Sequence, residues 1–292
     1  MARESQSQYS AGQGFGSGWR DGAVELARYR ASAGERRLAL GIAVLSLAVF
    51  AALVPFASTK LQVMPFFISV YESVLVVTDL LTVVLLFRQF SITRDASLVI
   101  LMSGYLFTAA ITVVHALTYP GLFAPDGLLG AGPQTTAWLY MFWHGGFPLL
   151  VIAYAFAKKR GLRASGSAAM LAVPTVVGIV MLFTAVAIGD SPLPDIMNGS
   201  NYTPVMKGVV GSVWGLSALA LFVLWRRRSD SVLDIWLMVV MCAWLADIGL
   251  SAVFNAGRFD LGFYAGRVYG LMAASFILVV LFEPRGLNRF RE

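Results

Sequence analysis

The chain has 292 residues, of which 58% are hydrophobic and 13% charged, with a formal net charge of +6. Soluble domains carry roughly 25% charged residues, so this composition cannot cover a water-facing surface. It excludes an ordinary soluble enzyme. It also makes the basic surplus a topology signal rather than a nucleic-acid surface, because the Lys and Arg residues sit in short turns between apolar runs.

Residues 1–36 are rich in Gly, Ser, Gln and Arg and read as a mobile cytoplasmic tail, with a short helix around Asp21 to Arg30. Apolar stretches of about 20 residues then recur, enough to cross a hydrocarbon core roughly 30 Å thick. The spans are 38–57, 66–88, 97–118, 136–157, 167–189, 208–226, 232–254 and 262–282. They are continuously apolar rather than alternating, which excludes a barrel. The fold class is therefore an all-α, polytopic transmembrane bundle of about eight helices.

Orientation follows from charge. The tail holds six Lys or Arg, the 88–96 turn two, the 158–166 loop four, the 226–231 turn three and the C-terminus three. Only Lys60, Lys207, Arg258 and Arg267 remain. This alternation places both termini in the cytoplasm of a bacterial inner membrane. The 119–135 loop, dense in Gly and Pro, reads as an irregular outer loop. The 190–206 loop carries two glycosylation-like triplets, at Asn198 and Asn201.

Ionisable groups inside spans are costly and need a reason. Glu72 and Asp79 lie on the second span, two turns apart on one face, His115 on the third and His144 on the fourth. Asp234 and Asp247 lie on the seventh and Arg267 on the eighth. By helical rise, Glu72, His115, His144, Asp247 and Arg267 sit about 5–12 Å below the outer ends of their spans. A shared polar pocket opening outward accounts for all five, with Asp79 nearer the middle. Alternatively Asp247 and Arg267 neutralise each other as a structural pair, and Asp234 meets interfacial water or the nearby arginines.

His115 and His144 are the two histidines of the chain. On facing helices they could ligate haem iron or another metal, or sense protons. Tyr140 and Trp143 belong to an aromatic run ending at His144; such rings suit a flat ligand, but the run also reads as a membrane-interface belt. Gly145-Gly146 before Pro148 should loosen the fourth span. Gly262, Gly266 and Gly270 form a close-packing face without chemical implication. Cys242 has no disulfide partner.

The runs FISVYESVLVVTDLLTVVLLFRQF, SGYLFTAAITVVHALTYPGLFAPDGLLGAGPQTTAWLYMFWHGGFPL, LDIWLMVVMCAWLAD and GRFDLGFYAGRVYGL resemble the membrane-associated sensor domain family, type four. The resemblance spans roughly residues 40 to 283. It implies a non-catalytic sensory input module of a bacterial inner membrane, typically joined to a cytoplasmic diguanylate cyclase or histidine kinase. His115, His144 and Asp79 match the family's HALT-like, FWH-like and TDLLT-like stretches. This organises the chain as a tail (1–36), a sensor domain (37–283) and a short cytoplasmic C-terminus (284–292). With only Glu283 to Glu292 following Phe282, the chain is either a stand-alone sensor using a separate partner or a fragment. The expected partners are the bilayer, that cyclase or kinase, and a second copy of the chain. A haem or redox protein and a small-molecule transporter are the alternatives.

Overall fold

The computed structural model describes residues 30–64, 66–188, 192–227 and 231–282. The proposed helix around Asp21 to Arg30, most of the N-terminal tail and the 284–292 segment lie outside these residues. Among the described residues eight helices are long and apolar enough to cross a membrane. They are α1 (Ala33–Leu53), α2 (Phe67–Thr93), α3 (Ala96–Thr118), α4 (Thr135–Arg160), α5 (Gly166–Ala187), α6 (Pro204–Arg227), α7 (Val232–Ile248) and α8 (Leu261–Phe282).

The helix ends follow local chemistry. Ser32 and Glu35 close a capping box, with Glu35 N–H donating to Ser32 Oγ at 3.2 Å and Ser32 N–H to Glu35 Oε2 at 2.7 Å. That signature starts α1 at Ala33, so the last residues assigned to the tail are helical. Pro55 cannot extend an α-helix by donation, and α1 closes in a 3₁₀ turn over Val54–Phe56. Pro148, by contrast, lies inside a continuous α4. The expected loosening is absent there: the His144 carbonyl, to which Pro148 has no N–H to donate, accepts from Trp244 Nε1 at 3.3 Å. It occurs in the seventh span instead, where α7 passes into a π turn at Gly249–Val253.

Layering is visible in burial. In the most apolar stretch of α7, 78% of residues are enclosed, against 67% for α3, 56% for α4, and only 11% and 17% for α1 and α5. Thus α3, α4 and α7 form the interior, and α8 packs against α7 and α2. Leu40, Leu47, Phe66, Met170 and Met181 on the periphery are all more than half exposed, which water would punish and lipid does not. A cavity of about 840 Å³ is a lateral groove between α1, α6 and α7, lined mainly by apolar side chains and lacking the buried acid and imidazole groups.

Among the described residues, one end of the bundle is built from 54–64, 119–134, 192–203 and 254–260. It includes the two-residue strands β1 (Met197–Asn198) and β2 (Asn201–Tyr202), paired antiparallel through Gly199 at φ 59°. We call this the hairpin end. At the opposite end the α2–α3 and α4–α5 turns are stitched together, Ala96 N–H donating to Leu162 O at 2.9 Å and Ala164 N–H to Arg94 O at 3.0 Å.

Candidate functional site

Two carboxylate–imidazole pairs stand in the hairpin half of the bundle, each joining two helices. Glu72 of α2 meets His115 of α3, Oε1 to Nδ1 at 2.6 Å. Asp247 of α7 meets His144 of α4, Oδ2 to Nε2 at 3.1 Å. All four residues are at most 3% exposed. The second pair is further defined, because His144 Nδ1 lies 2.9 Å from Tyr140 O. A carbonyl only accepts, so Nδ1 carries a proton. The contact at Nε2 then requires a second proton, on the ring or on Asp247. The pair is consequently neutral overall, as imidazolium with carboxylate or as imidazole with carboxylic acid.

Asp247 is also held by the π turn. Ser251 Oγ lies 2.7 Å from Asp247 O and 3.1 Å from Oδ1, and exchanges a 2.6 Å hydrogen bond with Tyr140 Oη. Single π turns cluster at functional sites. The glycines of α8 make room for this arrangement. A β-carbon at Gly270 would stand 2.7 Å from Asp247 Oδ2 and 2.6 Å from Tyr71 Oη, and one at Gly266 2.9 Å from Asp247 Oδ1. The glycine face therefore seats a carboxylate; the expectation that it lacks chemical implication is corrected.

Aromatic rings separate the two histidines. The His144 ring lies between Tyr140 (centroids 3.8 Å apart) and Trp244 (4.8 Å), with Trp143 at 4.7 Å. His115 lies 6.5 Å from Tyr140 and 6.2 Å from Trp143. Tyr140 is 7% exposed and Trp143 1%. They are interior residues, which replaces the belt reading for this run. Bis-histidine ligation fits poorly, since both nitrogens of His144 are engaged and aromatic rings stand between the imidazoles.

Arg267 does not form a direct ion pair with Asp247, contrary to the pairing considered from sequence. Its guanidinium donates to Phe263 O at 3.1 Å and lies over the Phe263 and Tyr140 rings, 3.7 and 5.1 Å from their centroids. With Arg258 it lines a cavity of about 30 Å³, shared by His115, Tyr119, Thr136, Tyr140 and Tyr202. Glu72, Trp143, His144 and Asp247 stand behind these residues. Tyr119 and Tyr202 are outside the spans, and burial pushes both phenols above their ordinary range despite the opposing pull of Arg258 and Arg267. They face the cavity as neutral hydroxyls.

Asp79 is elsewhere. Its Oδ2 accepts from Thr108 Oγ1, beside a separate cavity of about 10 Å³ lined by Tyr105, Trp244 and Gly270. Asp234, expected near water or arginines, is 3% exposed and bound by Lys158 Nζ at 2.5 Å, Tyr154 Oη at 2.7 Å and Ser231 Oγ at 2.5 Å. Tyr71, Tyr119, Tyr202, Ser251 and Arg258 belong to the site and escape a search limited to intramembrane charge. Arg258 offered one signal, as one of the few cations outside the clustered basic turns.

The arrangement is that of a polytopic membrane bundle whose buried acids, imidazoles and arginines converge between helices. Residues 62–283 match the family described as membrane-associated sensor, integral membrane domain (MASE4), and the chain belongs to that family. The match begins after α1 and covers α2 to α8. No curated protein and no solved structure matches the chain.

Proposed function

We propose that this membrane sensor domain is a non-catalytic input module that reads a signal at the hairpin end and relays it to a separate cytoplasmic partner, a diguanylate cyclase or histidine kinase. The observation that carries this reading is the pair of imidazole–carboxylate contacts. They tie α2 to α3 and α4 to α7 in one buried layer, so protonation or ligand contact there alters how the interior helices pack. α7 extends that layer to the other end, where Asp234 is locked to Lys158 of α4. Interiors are bistable rather than continuously deformable, which is how small shifts become helix movements.

In this reading both termini are cytoplasmic and the hairpin faces the periplasm, supported by the concentration of Lys and Arg at the opposite end. Single cysteines at Asn198 and Arg94, in a Cys242→Ser background, test the orientation. An impermeant thiol reagent added to spheroplasts should label the first and spare the second; the reverse pattern refutes it. For signalling, His115→Ala combined with His144→Ala should abolish the partner's response while leaving membrane insertion intact. An unchanged response in the inserted double variant removes the site from the mechanism.

A further inference from the structure

We infer that the Arg258–Arg267 cavity is a binding site for a small monovalent oxyanion or carboxylate of three or four heavy atoms. This rests on the sensory reading above and specifies its ligand class.

The first argument is charge. The His144–Asp247 pair is neutral in either of its forms, and Lys60 cancels Asp260 at 2.7 Å. Glu72 contributes one negative charge at most, and none when His115 is protonated against it. Arg258 and Arg267 contribute two positive charges. With His144 Nδ1 donating to Tyr140 O, the layer around the cavity therefore keeps a positive surplus. Neither guanidinium forms a direct ion pair with a carboxylate among the described residues, and none of the residues lining the cavity is acidic.

The second argument is donor capacity. A guanidinium has five N–H donors. Among the described residues Arg267 donates once, to Phe263 O, and Arg258 once, to Thr136 Oγ1 at 2.6 Å. Tyr119 also lines the cavity; it is 8% exposed and its hydroxyl has no hydrogen-bond partner. Planar guanidinium forks match planar carboxylate or nitrate geometry better than a point cation would.

Size decides the rest. A cavity of about 30 Å³ holds one or two waters, each needing on the order of 10–15 Å³ by this measure. Formate, acetate and nitrate approach this scale, whereas a nucleotide or a flat cofactor does not. The loop carrying Arg258 closes one side. Arg258 N–H donates to Ser200 O at 2.9 Å, and Asp260 Oδ2 accepts from the Ala256 and Gly257 amides at 2.9 and 3.1 Å.

The test uses the full chain in nanodiscs, titrated calorimetrically with formate, acetate and nitrate, and with tetramethylammonium as a cationic control. Saturable binding of at least one anion is expected. Arg258→Gln, in a loop, should weaken it by about tenfold or more, and Tyr119→Phe should weaken it by a smaller factor. Arg267→Gln should abolish it, and the two milder variants keep the test decisive if that protein does not fold. No saturable anion binding, equal binding by Arg258→Gln, or preference for the cation overturns the inference. Anion binding without any effect on a partner's output upholds the site and refutes the sensory reading. Loss of output in the double histidine variant with no anion binding does the opposite.

Discussion

Replacing Gly266 by alanine adds one methyl group where α8 closely approaches Asp247 and the π turn. That carbon would lie 2.7 Å from Ser251 Cβ and 2.8 Å from the backbone oxygen of Asp247, where ordinary contact begins near 3.4 Å. A main-chain oxygen cannot swing aside, so α7 and α8 must separate by several tenths of an ångström. Overpacking of this kind costs about 1–3 kcal/mol, and the removal of a helical glycine returns roughly 0.5–1 kcal/mol. The net expectation is a loss of up to about 2.5 kcal/mol. Gly211→Ala on α6 is the matched control, since its new methyl meets nothing within 4 Å; it should gain roughly 0.5–1 kcal/mol. Reversible unfolding of both variants in mixed micelles measures the difference. If Gly266→Ala proves as stable as Gly211→Ala, the close approach that seats Asp247 is not what holds it.

Lys158→Met removes the 2.5 Å ammonium contact from the buried Asp234 carboxylate and should cost about 3 kcal/mol, the lower end for a buried pair because the Lys158 side chain is 18% exposed. Combining it with Asp234→Asn should recover part of that loss, and a double-mutant cycle on the same unfolding signal checks the coupling. Ser251→Ala removes the hydroxyl joining Tyr140 to Asp247 and should cost about 1–2 kcal/mol; an unaltered midpoint would show that the π turn holds its shape without it. Gly257→Ala would drive a methyl into the Ser200 carbonyl and displace the Arg258 loop. Anion affinity should fall in calorimetry with little change in helix content by circular dichroism.

The membrane spans were readable because lipid demands long uninterrupted apolar runs, and that demand leaves few alternative registers. The ionisable residues were readable for the same reason, each being expensive where it stands. Their partners were not. Depth along a helix reports how far a side chain lies from the interface, not which neighbour it faces. Five groups at similar depth therefore allowed His115 with His144, or Asp247 with Arg267, as readily as the observed Glu72–His115 and Asp247–His144 pairs. The π turn was hidden because it depends on Ser251 finding Asp247 and Tyr140 in space. Pro148 misled for the converse reason: the carbonyl it frees, His144 O, is taken up by Trp244 Nε1 from a helix distant in sequence. The capping box at Ser32 was present in the sequence and would have placed the start of α1 correctly.

α1 precedes the stretch shared with the family, yet it is moored to α7, the most enclosed helix, and to α8. Phe50 lies directly over Gly249 at the start of the π turn, where a methyl would meet its ring at 2.8 Å, and Tyr269 Oη of α8 donates to Ser46 O at 2.6 Å. A rotation or slide of α7 thus drags on α1 as well as on the α7–α8 contact. α1 would then offer a mechanical route out of the buried layer separate from α8.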